Sequence, residues 1–548
     1  MTSSDEAADV PVVLPGERGE LPSSKAVRRF TTAAGRTRAG AGVGSLLSDV
    51  YYAVITLAIA VGVALGVAQQ LRLALPPAPA VSAPQGLNLP TLVTVLVLGL
   101  VGVLVSLAGR LGPVGAGGAE ASWWLSLPVG RRGLLRPAAR RLPLVAAAVG
   151  AVVVALLDGG LLADGGARVL RAAVSGALVA VLLVLVAAVA QSVGVARRHT
   201  ALAGDLVLVA APLIAGSLTL AGTRIAALPV LSWPLLVVAL LVVVGLAALV
   251  DRRLDRMPAR TLRESGSVVT QAVGAVVSMD SRELGRALSA GGEAPARRRL
   301  SRLRTVRGPV SALITADLVL LRRSPRHVVQ LVVAALLPLL ATVVPQLAAP
   351  GAVLLVVLLA GMVAQSATAE GSRRGEMAPV LDRALPLPAR TVRRLRMVVP
   401  AAVMLLWNLV VFAGLGRWAA DVPGLLALAV AGTPVWAAGA VRAAYRPAPD
   451  WTKPLVATPM GALPTGVATV IARGPDVVVL GLLPTWIAVL LRTVSPTLLL
   501  VQAVLAVVAV LIASSLATGG FMDWMARQQE LLEEEKKKTA AGGRPGRS

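Results

Sequence analysis

The sequence predicts an all-α polytopic membrane protein of about twelve transmembrane helices, built as two six-helix repeats. Three observations predict it. Twelve apolar stretches are of bilayer length, the basic residues between them fall on one side, and landmarks in the first six stretches recur in the second six.

Taken in order, residues 1–50 form a polar N-terminal segment with no charged n-region, short apolar core and cleavage site, so the first span itself is expected to target the chain. The first membrane half, 51–250, holds spans at Tyr51–Gln70, Pro90–Gly109, Leu142–Leu157, Val169–Gln191, Leu206–Gly222 and Val230–Val250. A basic connector follows over 251–326. The second half, 327–518, holds Val328–Val344, Ala352–Ala369, Met397–Leu415, Gly424–Val441, Val477–Leu491 and Pro496–Thr518, and 519–548 is the C-terminal tail. A hydrocarbon core of about 30 Å needs roughly 20 helical residues at about 1.5 Å each, which these stretches approach. Helix is the only backbone that satisfies them, because they lack barrel alternation and lipid offers no partner to an open strand.

Orientation follows from charge. With the N-terminus inside, all but six of the 53 Lys and Arg lie in cytoplasmic segments; the exceptions are Arg72, Arg168, Arg171, Arg224, Arg417 and Arg492. Both termini are therefore expected in the cytoplasm of a multi-pass inner-membrane protein. The net charge of +25 needs no nucleic acid, since anionic lipid headgroups and the positive-inside bias account for basic residues beside spans. Arginine outnumbers lysine heavily and Ala and Val dominate, as in GC-rich bacterial genomes.

The loops are unequal. Outer loops are short except the Pro-rich Leu71–Leu89, while the connector carries sixteen arginines. Within the connector Ser267–Val277 is apolar but too short to span, and is expected to lie on the membrane or against the protein. Arg297–Arg299, near Gly291, Gly292 and Pro295, predicts a flexible link. Glu530 to Lys538 predicts a solvated helix end.

An internal duplication is expected. Leu125-Ser126-Leu127-Pro128-Val129 after the second span matches Leu385-Pro386-Leu387-Pro388-Ala389 after the eighth, and Gly204-Asp205 opening the fifth matches Pro475-Asp476 opening the eleventh, with Pro212 and Pro484 following. Six being even, each half enters and leaves on one side, so the halves would be related by a pseudo-twofold along the membrane normal.

Several chemistries are excluded. None of the five lysines follows a glycine, so no Gly-Lys-Ser/Thr loop can hold a nucleotide's phosphates. Cysteine is absent and His199 and His327 stand alone, which leaves no metal site, and no carboxylate or histidine cluster supplies a catalytic acid or base. No catalytic residue and no cofactor are expected. Ionisable groups avoid the span centres, unlike in ion-coupled transporters. Polar side chains within the spans are few and include Thr56, Ser106, Gln365, Asn408 and Gln502; the last three are candidates for lining a pathway, against a plainer role in helix–helix hydrogen bonds. Asp205 and Asp476 are read as helix caps at span starts, and Trp123, Trp124 and Trp451 as residues at headgroup level.

One element recurs. Glu120 precedes Leu125 to Pro128 and the basic Arg131, Arg132 and Arg136; Glu376 precedes Leu385 to Pro388 and the basic Arg390, Arg393, Arg394 and Arg396. A proline ahead of an amphipathic basic run predicts a short helix along the inner membrane face. Here the chain resembles the permease subunits of ABC-2-type exporters, in which an acidic residue and a Leu-rich stretch ending Pro-Val/Ile-x-Arg follow the second of six spans. Ala316 to Arg326 is similar to the connecting helix ahead of the first span of such permeases. The resemblance implies a separate ATP-binding cassette subunit as partner, docking on the loops at Glu120, Pro128, Arg131, Arg132, Glu376, Pro388, Arg390 and Arg393. The outer loops Thr223–Pro229 and Arg492–Ser495 are shorter than the re-entrant outer helices common in that family. The other reading from the residues is a non-transporting membrane scaffold or regulator.

Overall fold

The computed structural model describes residues 22–39, 87–118, 120–162, 165–277, 306–344, 347–445, 455–458, 461–464 and 474–515, with single positions at 51, 55, 62, 66, 285, 287 and 288. Apart from those single positions, the first expected span, residues 71–86 of the Pro-rich loop, Arg297–Arg299, Trp451 and the C-terminal tail lie outside the described residues.

In chain order the helices are α1 Ser24–Ala39, α2 Leu89–Leu111, α3 Arg131–Ala155, α4 Gly166–Ser192, α5 Arg197–Leu220, α6 Trp233–Arg253, α7 Ala259–Val277, α8 Pro309–Arg322 and α9 Pro325–Val343. There follow α10 Pro350–Thr368, α11 Glu370–Met377, α12 Pro379–Arg383, α13 Ala389–Leu395, α14 Val398–Ala419, α15 Val422–Ala444, α16 Pro475–Gly481, α17 Leu483–Leu491 and α18 Pro496–Ser514. Among the described residues ten helical segments are long and apolar enough to cross a membrane, and each overlaps an expected span. The protein is a multi-pass membrane protein.

The eleventh expected span is not one helix. α16 and α17 meet at Leu482, where Pro484 offers no N–H to the turn before it and Gly481 adds little helical preference. Starts and stops elsewhere follow side-chain chemistry. Ala420 turns left-handed at φ 59° after α14, and the Asp421 carboxylate then accepts the Gly424 N–H at 3.0 Å to open α15. Ser495 does the same for α18 through the Leu498 N–H at 3.2 Å.

One departure from an all-helical chain is an antiparallel pair, β1 Leu455–Thr458 with β2 Gly461–Pro464, closing at Thr458↔Gly461. Pro454, Pro459 and Pro464 recur every five residues, a spacing that disfavours a continuous helix.

By contacts the chain groups into two compact units, each drawn from separated segments: Met1–Gln69, Leu107–Ala201 and Val230–Gly292 in one, and Gln70–Ser106, Leu202–Pro229 and Glu293–Ser548 in the other. In the first unit α3 packs along α4, and α4 along α6. At the α3–α4 crossing Gly150 and Gly176 face each other, and a Cβ on Gly150 would sit 2.6 Å from the Gly176 carbonyl oxygen. Small residues allow this approach, which matters where lipid gives helices no hydrophobic reason to associate. The expected apolar helix at Ser267–Val277 is the second half of α7. It lies against the protein: Leu262 in the first half of α7 accepts the Ala116 N–H at 3.0 Å, and a Cβ on Gly117 would sit 2.6 Å from Thr270 Oγ1 in the second half.

In the second unit α15 is the most enclosed helix, surrounded by α10, α14, α16 and α18. Its Trp436 is 1% exposed and meets Trp407 and Trp486 edge to face, each at 6.1 Å between ring centres. Asp205 belongs to this unit, and its capping reading is corrected here. α5 begins at Arg197, so Asp205 lies inside the helix, buried, accepting the Ser106 Oγ–H at 2.6 Å. Asp476 is the second residue of α16 and the N-cap position is Gly474, but its carboxylate does accept the Gly474 and Val477 N–H groups, both at 2.8 Å, and pairs with Arg442 at 2.8 Å. The two landmarks that matched in sequence thus differ in structure.

Candidate functional site

After the second span, Glu120–Trp124 forms one π-helical turn, Leu125 turns inward, and Pro128 is exposed just before α3. The basic run is no separate helix. It is the start of α3, which continues through Pro137 and Pro143 into the third span. A short helix along the membrane was expected, but nothing between Arg131 and the span ends the hydrogen-bonded run. Arg132 and Arg136 are held from α6 and the turn behind it. The Arg132 backbone N–H donates to Asp255 at 2.7 Å, its Nε to Asp251 at 2.9 Å, and Arg136 grips the same Asp251 carboxylate at 2.6 and 2.8 Å. Arg131 has no ion-pair partner among the described residues.

The second loop is built around Arg396, one residue beyond α13. Its guanidinium is 6% exposed, and Nη1 donates to Asp317 of α8 at 3.0 Å and to the Gly371 carbonyl of α11 at 2.8 Å. Nη2 donates to Asp382 of α12 at 2.6 Å. Tyr445, just past α15, donates its Oη–H to Asp382 at 3.4 Å, and Arg393 of α13 lies 4.9 Å over the Tyr445 ring while reaching the Ser515 carbonyl. No side chain fits under this cluster, for a Cβ on Gly375 would lie 2.5 Å from Arg396 Nη2. One cation ties α8, α11 and α12 to the junction of α13 and α14.

Two carboxylates share that guanidinium, and the electrostatics show it. Burial, partly offset by Arg396 and reinforced by Asp382, pushes the Asp317 carboxyl up to about 6. Burial, with Asp382 adding and Arg396 and Arg393 opposing, pushes the Tyr445 hydroxyl up to about 12. On α11, burial works against the Glu370 charge, but Arg373, Arg374 and His327 together hold its carboxyl below the usual range.

What remains outward is positive. Arg383, Arg390 and Arg394 are exposed, Pro388 is exposed at the head of α13, and Glu376 is half-buried. Of the four arginines expected at a docking face, Arg131 and Arg390 have no ion-pair partner among the described residues, while Arg132 and Arg393 brace the loops. Among the described residues no group of three His, Asp or Glu could hold a metal ion.

Residues 82–454 match the model of a family of unknown function, DUF6297. The chain belongs to the DUF6297 family. No curated protein and no solved structure matches it. The DUF6297 match spans both loops, the Asp251 tie and the Arg396 cluster, and stops before α16.

In this DUF6297 chain the three candidate pathway groups, Gln365, Asn408 and Gln502, lie around α15. Asn408 of α14 donates to Thr433 Oγ1 at 3.0 Å and to the Ala429 carbonyl at 3.3 Å. Gln502 of α18 donates to the Gly481 carbonyl at 2.8 Å and accepts from Thr485 at 2.8 Å; a Cβ on Gly432 of α15 would be 3.7 Å from that threonine hydroxyl. Gln365 of α10 is 4% exposed and faces Gly439, its Oε1 meeting no donor among the described residues. The Gln502 amide thus closes the backbone gap left at the α16–α17 break. Sequence reasoning passed over Asp251, Asp317, Asp382, Tyr445 and the three buried tryptophans. The available signal was Asp317 standing alone between apolar stretches of α8.

Proposed function

We propose that this protein is the membrane-spanning subunit of an ATP-driven exporter that depends on a separate ATP-binding cassette subunit, with two six-span halves about an axis along the membrane normal and both termini in the cytoplasm of a bacterial cell. One observation carries the reading: each basic loop is mechanically coupled to the helices beside it. Arg132 and Arg136 lock the head of α3 to the end of α6, and Arg396 locks α8, α11, α12 and the head of α14 together. A partner pushing on Arg131 or on Arg390 and Arg394 would move packed spans rather than a loose loop. ATP-driven closure of two such partners would then tilt the halves and alternate access.

A second reading, a non-transporting membrane scaffold or regulator, draws on Asn408 and Gln502. Both spend hydrogen bonds on neighbouring helices, as packing residues do.

The test is copurification. Glu in place of Arg131, or of Arg390 and Arg394, should cut recovery of a P-loop ATPase encoded beside this chain, most strongly at low salt, with membrane levels unchanged. Wild-type recovery by both variants would favour the scaffold.

A further inference from the structure

A cleft lies within the first unit, apart from the ion pairs that brace the loops. α1 lies beside the head of α3, and between them and the π turn opens a space of about 660 Å³ lined by Lys25, Arg28, Arg29, Arg141, Glu120 and Trp123, among others. Four cations thus face one carboxylate. None of these five charges has an ion-pair partner among the described residues, whereas Arg132, Arg136, Arg396 and Arg442 are all paired. The Arg28 Nε–H is buried and meets no acceptor among the described residues. Like charges gathered without a counter-ion repel one another, so such a cleft gains stability from an anion with several acceptor oxygens.

The surroundings identify the kind of anion. Trp123 is 70% exposed at the rim, an amphipathic ring suited to the boundary between headgroups and acyl chains. From Arg141 the same helix runs on into its apolar span, and Leu144, Val145 and Val149 stand open at 68%, 58% and 56%. Val145 and Val149 follow Arg141 at intervals of four, which puts all three on one stripe of α3. A charged pocket at the head of an exposed apolar stripe has the shape of a phospholipid: phosphate above, chains below. We propose that this cleft binds the phosphate headgroup of an anionic phospholipid, whose acyl chains follow α3. The inference is independent of any ATPase partner.

The test uses full-length protein in nanodiscs of phosphatidylcholine doped with brominated phosphatidylglycerol or brominated phosphatidylcholine, reading the quenching removed by Trp123→Phe. Half-quenching should need about tenfold less brominated phosphatidylglycerol than brominated phosphatidylcholine, given how strongly each added cation attracts an anionic lipid. The preference should vanish in Arg28→Gln/Arg29→Gln/Arg141→Gln. Because that variant can lose the α1 contact, Arg29→Gln and Arg141→Gln, both exposed positions, are measured singly and should each lower the preference severalfold with an unchanged melting midpoint. Equal quenching by the two lipids in the wild-type protein, or a preference that survives all three substitutions, would overturn the proposal. So would a preference abolished by millimolar glycerophosphate, which would assign the cleft to a soluble phosphate compound.

Discussion

Replacing Arg396 with Met keeps side-chain volume and removes the one charge that ties α8, α11 and α12 to the junction of α13 and α14. The cation is 6% exposed, and its loss leaves Asp317 and Asp382, with side chains 7% and 18% exposed, without their common donor. Breaking a buried pair from one side costs about 3–5 kcal/mol, a large part of a typical stability of roughly 5–15 kcal/mol. The effect depends on pH. Asp317 titrates at about 6 in the folded protein, against about 3.9 for a free side chain, so the folded chain holds this proton more tightly than the unfolded one. That contribution is whole below about pH 4 and is lost as pH rises through 6, a fall on the order of 3 kcal/mol. Wild-type protein should therefore melt higher at pH 5 than at pH 7.5 as far as this group decides, Asp317→Asn should flatten the slope, and Arg396→Met should cost more at pH 7.5 than at pH 5. Tryptophan fluorescence during heating in detergent reports all three. Arg396→Met and Asp317→Asn should also couple, the double variant being less destabilised than the sum. A midpoint for Arg396→Met within about 2 °C of wild type at pH 7.5, where roughly 2–4 °C accompany each kcal/mol, would refute the assignment of the cluster as a structural tie. Strict additivity would do the same.

Trp436→Ala should destabilise the second unit by about 3–5 kcal/mol, since it removes a buried ring and both edge-to-face contacts; near-ultraviolet circular dichroism and the melting midpoint check it. Gln502→Leu should cost about 1–2 kcal/mol by stranding the Gly481 carbonyl, and Thr485→Val on that background should add little, which a double-mutant cycle measures. Topology can be read directly because cysteine is absent. Gly165→Cys and Val494→Cys should react with an impermeant thiol reagent on intact cells and Ser126→Cys should not; external labelling of Ser126→Cys would invert the orientation.

Bilayer length and lipid's lack of hydrogen-bonding partners are local constraints, so they are written into each apolar stretch by itself. That is why ten expected spans could be located from sequence, and why Pro388 and Gly130 mark the heads of basic helices where the Leu-Pro motifs predict them. The Asp476 carboxylate meeting N–H groups at the head of its own helix was equally local. What a charge does once folded is a different matter, because it depends on which distant residue comes within about 3 Å. Asp317 and Arg396 are 79 positions apart, Arg132 and Asp251 are 119 apart, and no spacing rule relates them. Asp205 read as a cap because it precedes an apolar run; the tertiary partner Ser106 and a helix that starts eight residues earlier gave it another task. The break at Leu482 follows from Pro484, but that the freed Gly481 carbonyl would be met by Gln502 was decided only when α18 packed alongside. Apolar periodicity sets where helices form, while the pairing of their few polar groups is fixed by packing, since a buried polar atom takes whichever partner the neighbouring helix brings.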